Sequence, residues 1–255
     1  MLFQTVAKRL IEIIQAKQDR ANRDGAKQDG GRRVSIALGG GSTPRGLFDE
    51  WVRSHRDSID WSRLLFFWGD ERAVGPADPD SNFGMAQRHL LTPLGIADQQ
   101  VFRLEGERTN LDEAARDNEN ALRRMLPMGD QGCPVLDLVL LGMGADAHTA
   151  SLFPGTEALQ ERERWVVANP VPQLETTRLT MTYPLINAAE EVHFLVRGEA
   201  KAEALHLVLE GPRDPAQWPS QGIAAANVEW WVDRECTTQL QQTKIHAIAA
   251  TPQDA

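Results

Sequence analysis

The stretch Leu138-Val139-Leu140-Leu141-Gly142-Met143-Gly144-Ala145-Asp146-Ala147-His148-Thr149-Ala150-Ser151-Leu152-Phe153-Pro154 decides the fold class of this 255-residue chain. Its apolar run reads as a buried strand, ends in two glycines, and then presents an Asp and a His two residues apart. In open α/β sheets, ligands bind outside the carboxyl ends of the strands, so these two side chains fall where chemistry is usually done. A second turn of the same kind lies upstream, where Val34-Ser35-Ile36-Ala37-Leu38 runs into Gly39-Gly40-Gly41-Ser42-Thr43-Pro44. Two such turns at two strand ends point to one small-molecule site between them.

The flanking pattern supports an α/β chain. An amphipathic helix opens the sequence and runs to about Lys17, followed by a polar loop that leads to Val34. Pro44 suits the first turn of a helix continuing through Leu47, Phe48 and Trp51. Leu64-Leu65-Phe66-Phe67-Trp68 has strand length and closes on Gly69-Asp70-Glu71-Arg72. Asp80-Ser81 is a cap for a helix holding Phe83, Met85, Ala86, Leu90 and Leu91, and another helix spans Leu111 to Leu126. Strands follow at 165–168, 178–182 and 192–196, then a helix from about Glu199 to Leu209, a proline-rich loop at 211–221 and a weaker strand signal at 228–232. Strands alternating with helices imply a mostly parallel, modified doubly wound sheet with helices on both faces. No repeat or linker interrupts it, so the expectation is one domain over 1–248, with 249–255 a frayed tail.

Bulk properties limit the partners. A net charge of −9 argues against nucleic acid or an anionic membrane, both of which reward clustered Lys and Arg. It leaves room for an anionic small molecule, which needs only a few local positive groups. Two cysteines, Cys133 and Cys236, are too few for a disulfide framework, lack metal-ligand spacing and fit a reducing compartment. The first residues follow helical spacing broken by Lys8, Arg9 and Glu12 rather than a signal-peptide pattern, and no apolar run approaches the ~20 residues needed to span a bilayer. The expectation is a cytoplasmic, soluble protein. Nothing in the pattern specifies an oligomeric state.

Each candidate site residue has a plainer reading beside it. Gly40, Gly41, Ser42 and Thr43 offer amides and hydroxyls at a helix N-terminus, suited to an anion. They match neither the dinucleotide fingerprint nor a P-loop, and could equally form an ordinary strand-to-helix turn. Asp70, Glu71 and Arg72 suit either a polar site or a solvated loop edge, and Arg72 has the planar donors that bind phosphate. Asp146 and His148 lack supporting His or Cys for a metal site. They read as an acid–base pair, or else as a capping Asp beside a structural His. Lys201 occupies the first turn of a helix, where a cation is unfavourable unless an anionic ligand offsets the cost; it could also be a common surface lysine. The other five histidines show no organising pattern and read as structural.

Together these blocks resemble the 6-phosphogluconolactonase family. The resemblance runs from the first helix to about Trp231 and rests on Gly39–Pro44, Asp70-Glu71-Arg72-x-Val74, Ser81-Asn82-Phe83, Gly142–Pro154, Arg178–Thr182 and Gly198-x-x-Lys201. It implies a relative of the glucosamine-6-phosphate deaminase fold that hydrolyses 6-phospho-D-glucono-1,5-lactone without metal or organic cofactor. It further implies that His148 activates water, that Asp146 orients the His or the water, and that phosphate rests on Gly40–Thr43 with Arg72 and Lys201. Asp70 and Arg178 join as further substrate contacts. The alternatives are a sugar-phosphate deaminase or isomerase of the same fold, and a non-catalytic sugar-phosphate sensor. Against the deaminase, the Glu that assists ring opening in that family is replaced here by Phe153. Both families have Asp-Gly-His where this chain has Asp146-Ala147-His148, so a positive φ at Ala147 would be strained.

Overall fold

The computed structural model describes residues 2–23, 32–130, 132–241 and 247–249. Its strands are β1 (Val34–Leu38), β2 (Leu64–Trp68), β3 (Asp70–Arg72), β4 (Leu138–Leu141), β5 (Val166–Val171), β6 (Thr176–Met181), β7 (Val192–Val196), β8 (Val228–Asp233) and β9 (Ala247–Ala249). The helices are α1 (Leu2–Arg23), α2 (Ser42–Ser54), α3 (Asn82–Ala86), α4 (Thr92–Leu94), α5 (Leu111–Met125), α6 (Tyr183–Asn187) and α7 (Ala202–Glu210), joined by short 3₁₀ and π turns.

Six strands form one parallel sheet in the order β2-β1-β4-β7-β8-β9. Every residue of β1, β2, β4 and β7 is buried, which requires cover on both faces and explains why these strands are continuous apolar runs. Ser35 and His193 are the polar exceptions, and His193 Nδ1 accepts from Trp231 Nε1 at 2.8 Å. At Ser35 the partner is Asp137. The Ser35 hydroxyl and amide both donate to Asp137 Oδ2 at 2.9 Å, and the Asp137 amide donates back to Ser35 Oγ at 2.9 Å, tying β1 to the approach of β4. From β1 the chain moves outward to β2, then returns to the other side of β1 as β4. The strand order therefore reverses between β1 and β4, and a crevice opens at their carboxyl ends. Both glycine turns lie there.

The sequence reading needs three corrections. The first helix continues past Lys17 to Arg23, because buried Gln18 and Ala21 extend the spacing of Ile14. Residues 70–72 are a strand rather than a loop edge, and 165–168 and 178–182 do not join the parallel sheet. They belong to a second, antiparallel sheet, β3-β6-β5. The physical reason is the connection: only a turn at 172–175 separates β5 from β6, too short for the crossover that parallel strands need. Gly69 is the joint between the sheets, donating to Leu38 O at 3.0 Å and accepting from the Met181 amide at 2.8 Å. Of the expected tail, Ala249 ends β9, and residues 250–255 lie outside the described residues.

Candidate active site

A cleft of ≈ 390 Å³ opens at the switch point, within the usual range for small-molecule sites. Around it the fold gathers Gly40, Asp70, Arg72, Asp146, His148, Arg178 and Lys201, drawn from four strand ends and the start of α7. Gly41, Ser42 and Thr43 continue away from Gly40 into the first turn of α2 and are not part of the lining. A larger cleft of ≈ 650 Å³ involves Arg162, Tyr183 and Arg213 instead, away from the strand ends.

The chemistry-bearing pair is His148 and Asp146, with His148 Nδ1 to Asp146 Oδ1 at 2.5 Å. Partial burial pushes the Asp146 carboxyl up. The His148 hydrogen bond and charge, with help from backbone amides, outweigh it and hold the group below its ordinary value. An ionised carboxylate only accepts, so in the neutral imidazole the proton resides on Nδ1 and Nε2 carries the lone pair. The turn permits this contact because residue 144 is glycine: a Cβ there would lie 2.1 Å from Nδ1 and 2.3 Å from the carboxylate. Phe153 stacks on the imidazole at 4.0 Å between centroids. It fixes the ring plane and, being a phenyl, carries no transferable proton.

Asp70 behaves differently. It is 8% exposed, accepts from Ser151 Oγ at 2.7 Å and from Asn82 Nδ2 at 3.1 Å, and so joins three turns beneath the cleft. Asn82 in turn explains Gly40, because a Cβ on residue 40 would fall 1.8 Å from Asn82 Oδ1. Glu71 is fully inward. It accepts from the amides of Arg72, Asn82 and Phe83, each at 2.8 Å, and from Ser81 Oγ at 3.0 Å, holding the start of α3. Burial pushes its pKa up against the pull of those amides.

The positive wall comes from the small sheet. Arg72 and Arg178 are direct partners across β3 and β6. Like charges opposite one another are unfavourable, and both Nε atoms are buried without a partner. Burial first, and Arg72 second, push the Arg178 guanidinium down from its ordinary value. Lys201 stands at the N-cap of α7, with no carboxylate partner among the described residues. Three cationic groups line one cleft in a chain of net charge −9, a local concentration of positive charge of the kind that suits an anion. No group of three or more His, Cys, Asp or Glu suited to a metal ion occurs among the described residues. Asn82 and Ser151 entered the sequence reading only as members of motif blocks, because the contacts that tie them to the site reach Asp70 from other parts of the chain.

Comparison with known proteins agrees with this geometry. Residues 1–232 match the sequence model of the family described as glucosamine-6-phosphate isomerases/6-phosphogluconolactonase. A 6-phosphogluconolactonase of Treponema pallidum is 41% identical over 177 residues, 69% of this chain and 73% of the relative. One from Nostoc sp. is 38% identical over 229 residues, 88% of this chain and 89% of the relative. The solved structure of 6-phosphogluconolactonase from Trypanosoma brucei superposes with a TM-score of 0.76 at 30% identity, covering 94% of this chain and 95% of that one. With its fold and its sequence over residues 1–232 in agreement, the chain belongs to the glucosamine-6-phosphate isomerase/6-phosphogluconolactonase family.

Proposed function

We propose that this chain hydrolyses 6-phospho-D-glucono-1,5-lactone to 6-phosphogluconate, the lactone step of the pentose phosphate pathway. The observation that carries the proposal is a carboxylate–imidazole pair at 2.5 Å in a cleft whose opposite wall holds two facing arginines and a lysine. Arg72, Arg178 and Lys201 bind the phosphate, and that remote contact fixes the lactone carbonyl near His148. His148 Nε2 takes a proton as water oxygen bonds to C1. As the tetrahedral intermediate collapses, the bond from C1 to the ring oxygen breaks, and the imidazolium returns the proton to that oxygen. Water is consumed, one C–O bond forms and one breaks. Asp146 stabilises the transient imidazolium and keeps the productive tautomer. Phe153 at the stacking position supports hydrolysis over deamination.

The site works with its own side chains, without a resident metal, and the protein acts in the cytoplasm. The two cysteines support a reducing compartment, being free and buried, with burial pushing their thiols up to about 11 and about 12. No helix among the described residues is long and apolar enough to cross a membrane. The test is turnover of freshly generated 6-phosphogluconolactone, corrected for spontaneous hydrolysis, beside an assay with glucosamine 6-phosphate. Turnover of the lactone alone is expected, unchanged after exhaustive dialysis against a chelator. Ammonia release from the amino sugar, without lactonase activity, would overturn the reading.

A further inference from the structure

The catalytic turn is held in a conformation its sequence does not favour. Ala147, between Asp146 and His148, has φ 60 and is fully buried. That region suits glycine, and an alanine adopts it only when the surroundings enforce it. Within the turn, the Gly144 amide donates to His148 O at 2.9 Å and the Ala147 amide to Gly144 O at 3.1 Å. These bonds close the loop, and from within the turn the peptide after Ala147 is held only at its other end, where the His148 amide donates to Asp146 Oδ1 at 3.2 Å. That peptide determines where His148 points, since its plane sets ψ of residue 147 and φ of residue 148.

The Ala147 carbonyl is gripped from outside. Ser220 donates to it twice, from its amide at 2.9 Å and from its hydroxyl at 2.8 Å, and is 2% exposed. The arm that presents Ser220 is itself braced. Tyr183 Oη donates to Pro219 O at 2.7 Å, and Asn187 Nδ2 to Gly222 O at 3.0 Å. Gln221 Nε2 donates to Leu207 O at 2.9 Å and to Pro212 O at 3.1 Å. Ser220 is thereby fixed to α6 and α7, and nothing in its own segment announces the role.

We infer that Ser220 is a positioning residue for His148, compensating for alanine at residue 147 by clamping the carbonyl that sets the imidazole's direction. The inference rests on His148 being the general base. It differs from a role in substrate binding, because the phosphate wall stands on β3, β6 and α7 and not on the Ser220 arm.

A double-mutant cycle tests it. Ser220→Ala keeps the amide bond and loses the hydroxyl bond, so kcat should fall by about 3- to 10-fold, the worth of one neutral hydrogen bond. Affinity for 6-phosphogluconate, measured calorimetrically, should stay within about twofold. Ser220→Thr, which retains the hydroxyl, should recover most of the rate. In an Ala147→Gly background the turn no longer needs forcing, so Ser220→Ala should cost less than about twofold relative to its own parent. Equal penalties in the two backgrounds, undiminished kcat in Ser220→Ala, or a loss of product affinity that matches the loss of rate would overturn the inference. Should Ser220→Ala fail to fold, Ser220→Cys, which keeps a side chain but offers only a weak donor, carries the same cycle. His148→Ala in the same assay separates the two layers. Wild-type turnover there removes the general-base reading itself, whereas an inactive His148→Ala with an additive cycle removes only the role of Ser220.

Discussion

Two aspartates follow the carboxyl ends of strands beside the cleft, and their surroundings are opposite in kind. Asp146, past β4, has a side chain 45% exposed and a dominant partner in the His148 imidazole 2.5 Å away. Asp70, past β2, is 8% exposed and divides its oxygens between Ser151 and Asn82. A carboxylate beside an imidazole in partial contact with water can answer changes of charge during a reaction. One that borders the cleft with its oxygens already engaged by two neutral donors is suited to holding a shape. Both are aspartates beyond the carboxyl end of a strand of the parallel sheet, and what separates them is partners and depth.

The largest test of this contrast is His148→Ala, expected to lower kcat by about 100- to 10,000-fold with KM changed less. Near-wild-type turnover in a folded variant would deprive the exposed pair of its chemical role. Asp146→Asn comes next. It replaces an acceptor that fixes the Nδ1 proton, and a charge-assisted hydrogen bond of about 1.5–3 kcal/mol translates into roughly 10- to 150-fold in kcat. A variant that instead melts early and turns over normally would make Asp146 resemble Asp70.

A third test leaves both aspartates intact. Lys201→Ala should weaken 6-phosphogluconate binding by about 1.5–3 kcal/mol in a calorimetric titration. It should scarcely touch slow hydrolysis of unphosphorylated gluconolactone, and equal product affinity would put the phosphate elsewhere. Asp70→Asn should act mainly on the fold, because its new amide donors face the Ser151 hydroxyl and the Asn82 amide. Leaving a buried group unsatisfied costs about 1–3 kcal/mol, read from urea unfolding. A loss of kcat as deep as in Asp146→Asn, without loss of stability, would erase the distinction.

The smallest effect is on acid stability. Because the Asp146 carboxyl is held below its ordinary value, its contribution is complete above about pH 4 and fades as pH falls through the lower folded value. Wild type and Asp146→Asn should therefore converge in stability as the pH drops below that range. Such partial exposure keeps the gap small, and a gap that instead widens below pH 4 would contradict the depressed carboxyl.

Much of this molecule was legible in its residues. Fully buried parallel strands need apolar side chains on both faces, so Val34–Leu38, Leu64–Trp68 and Leu138–Leu141 announce themselves without a partner in view. Ser81, as the cap of α3, is equally local, its hydroxyl accepting from the Gly84 amide at 2.9 Å. The Asp146–His148 contact spans two residues and is written into a single turn. What the residues alone could not reveal is whatever joins segments far apart in the chain. Arg72 meets Arg178 only because β3 leaves the parallel sheet at Gly69 and pairs with β6. Gly40 needs to be glycine for the sake of Asn82, and Ala147 keeps its left-handed φ under the grip of Ser220. Periodicity and capping are governed by neighbours within a few residues, so sequence determined the strands, the helices and the Asp146–His148 contact. Burial, like-charge apposition and clamped carbonyls arise from contacts across dozens of residues, and only the tertiary structure decided which charged groups meet in the cleft and what each of them touches.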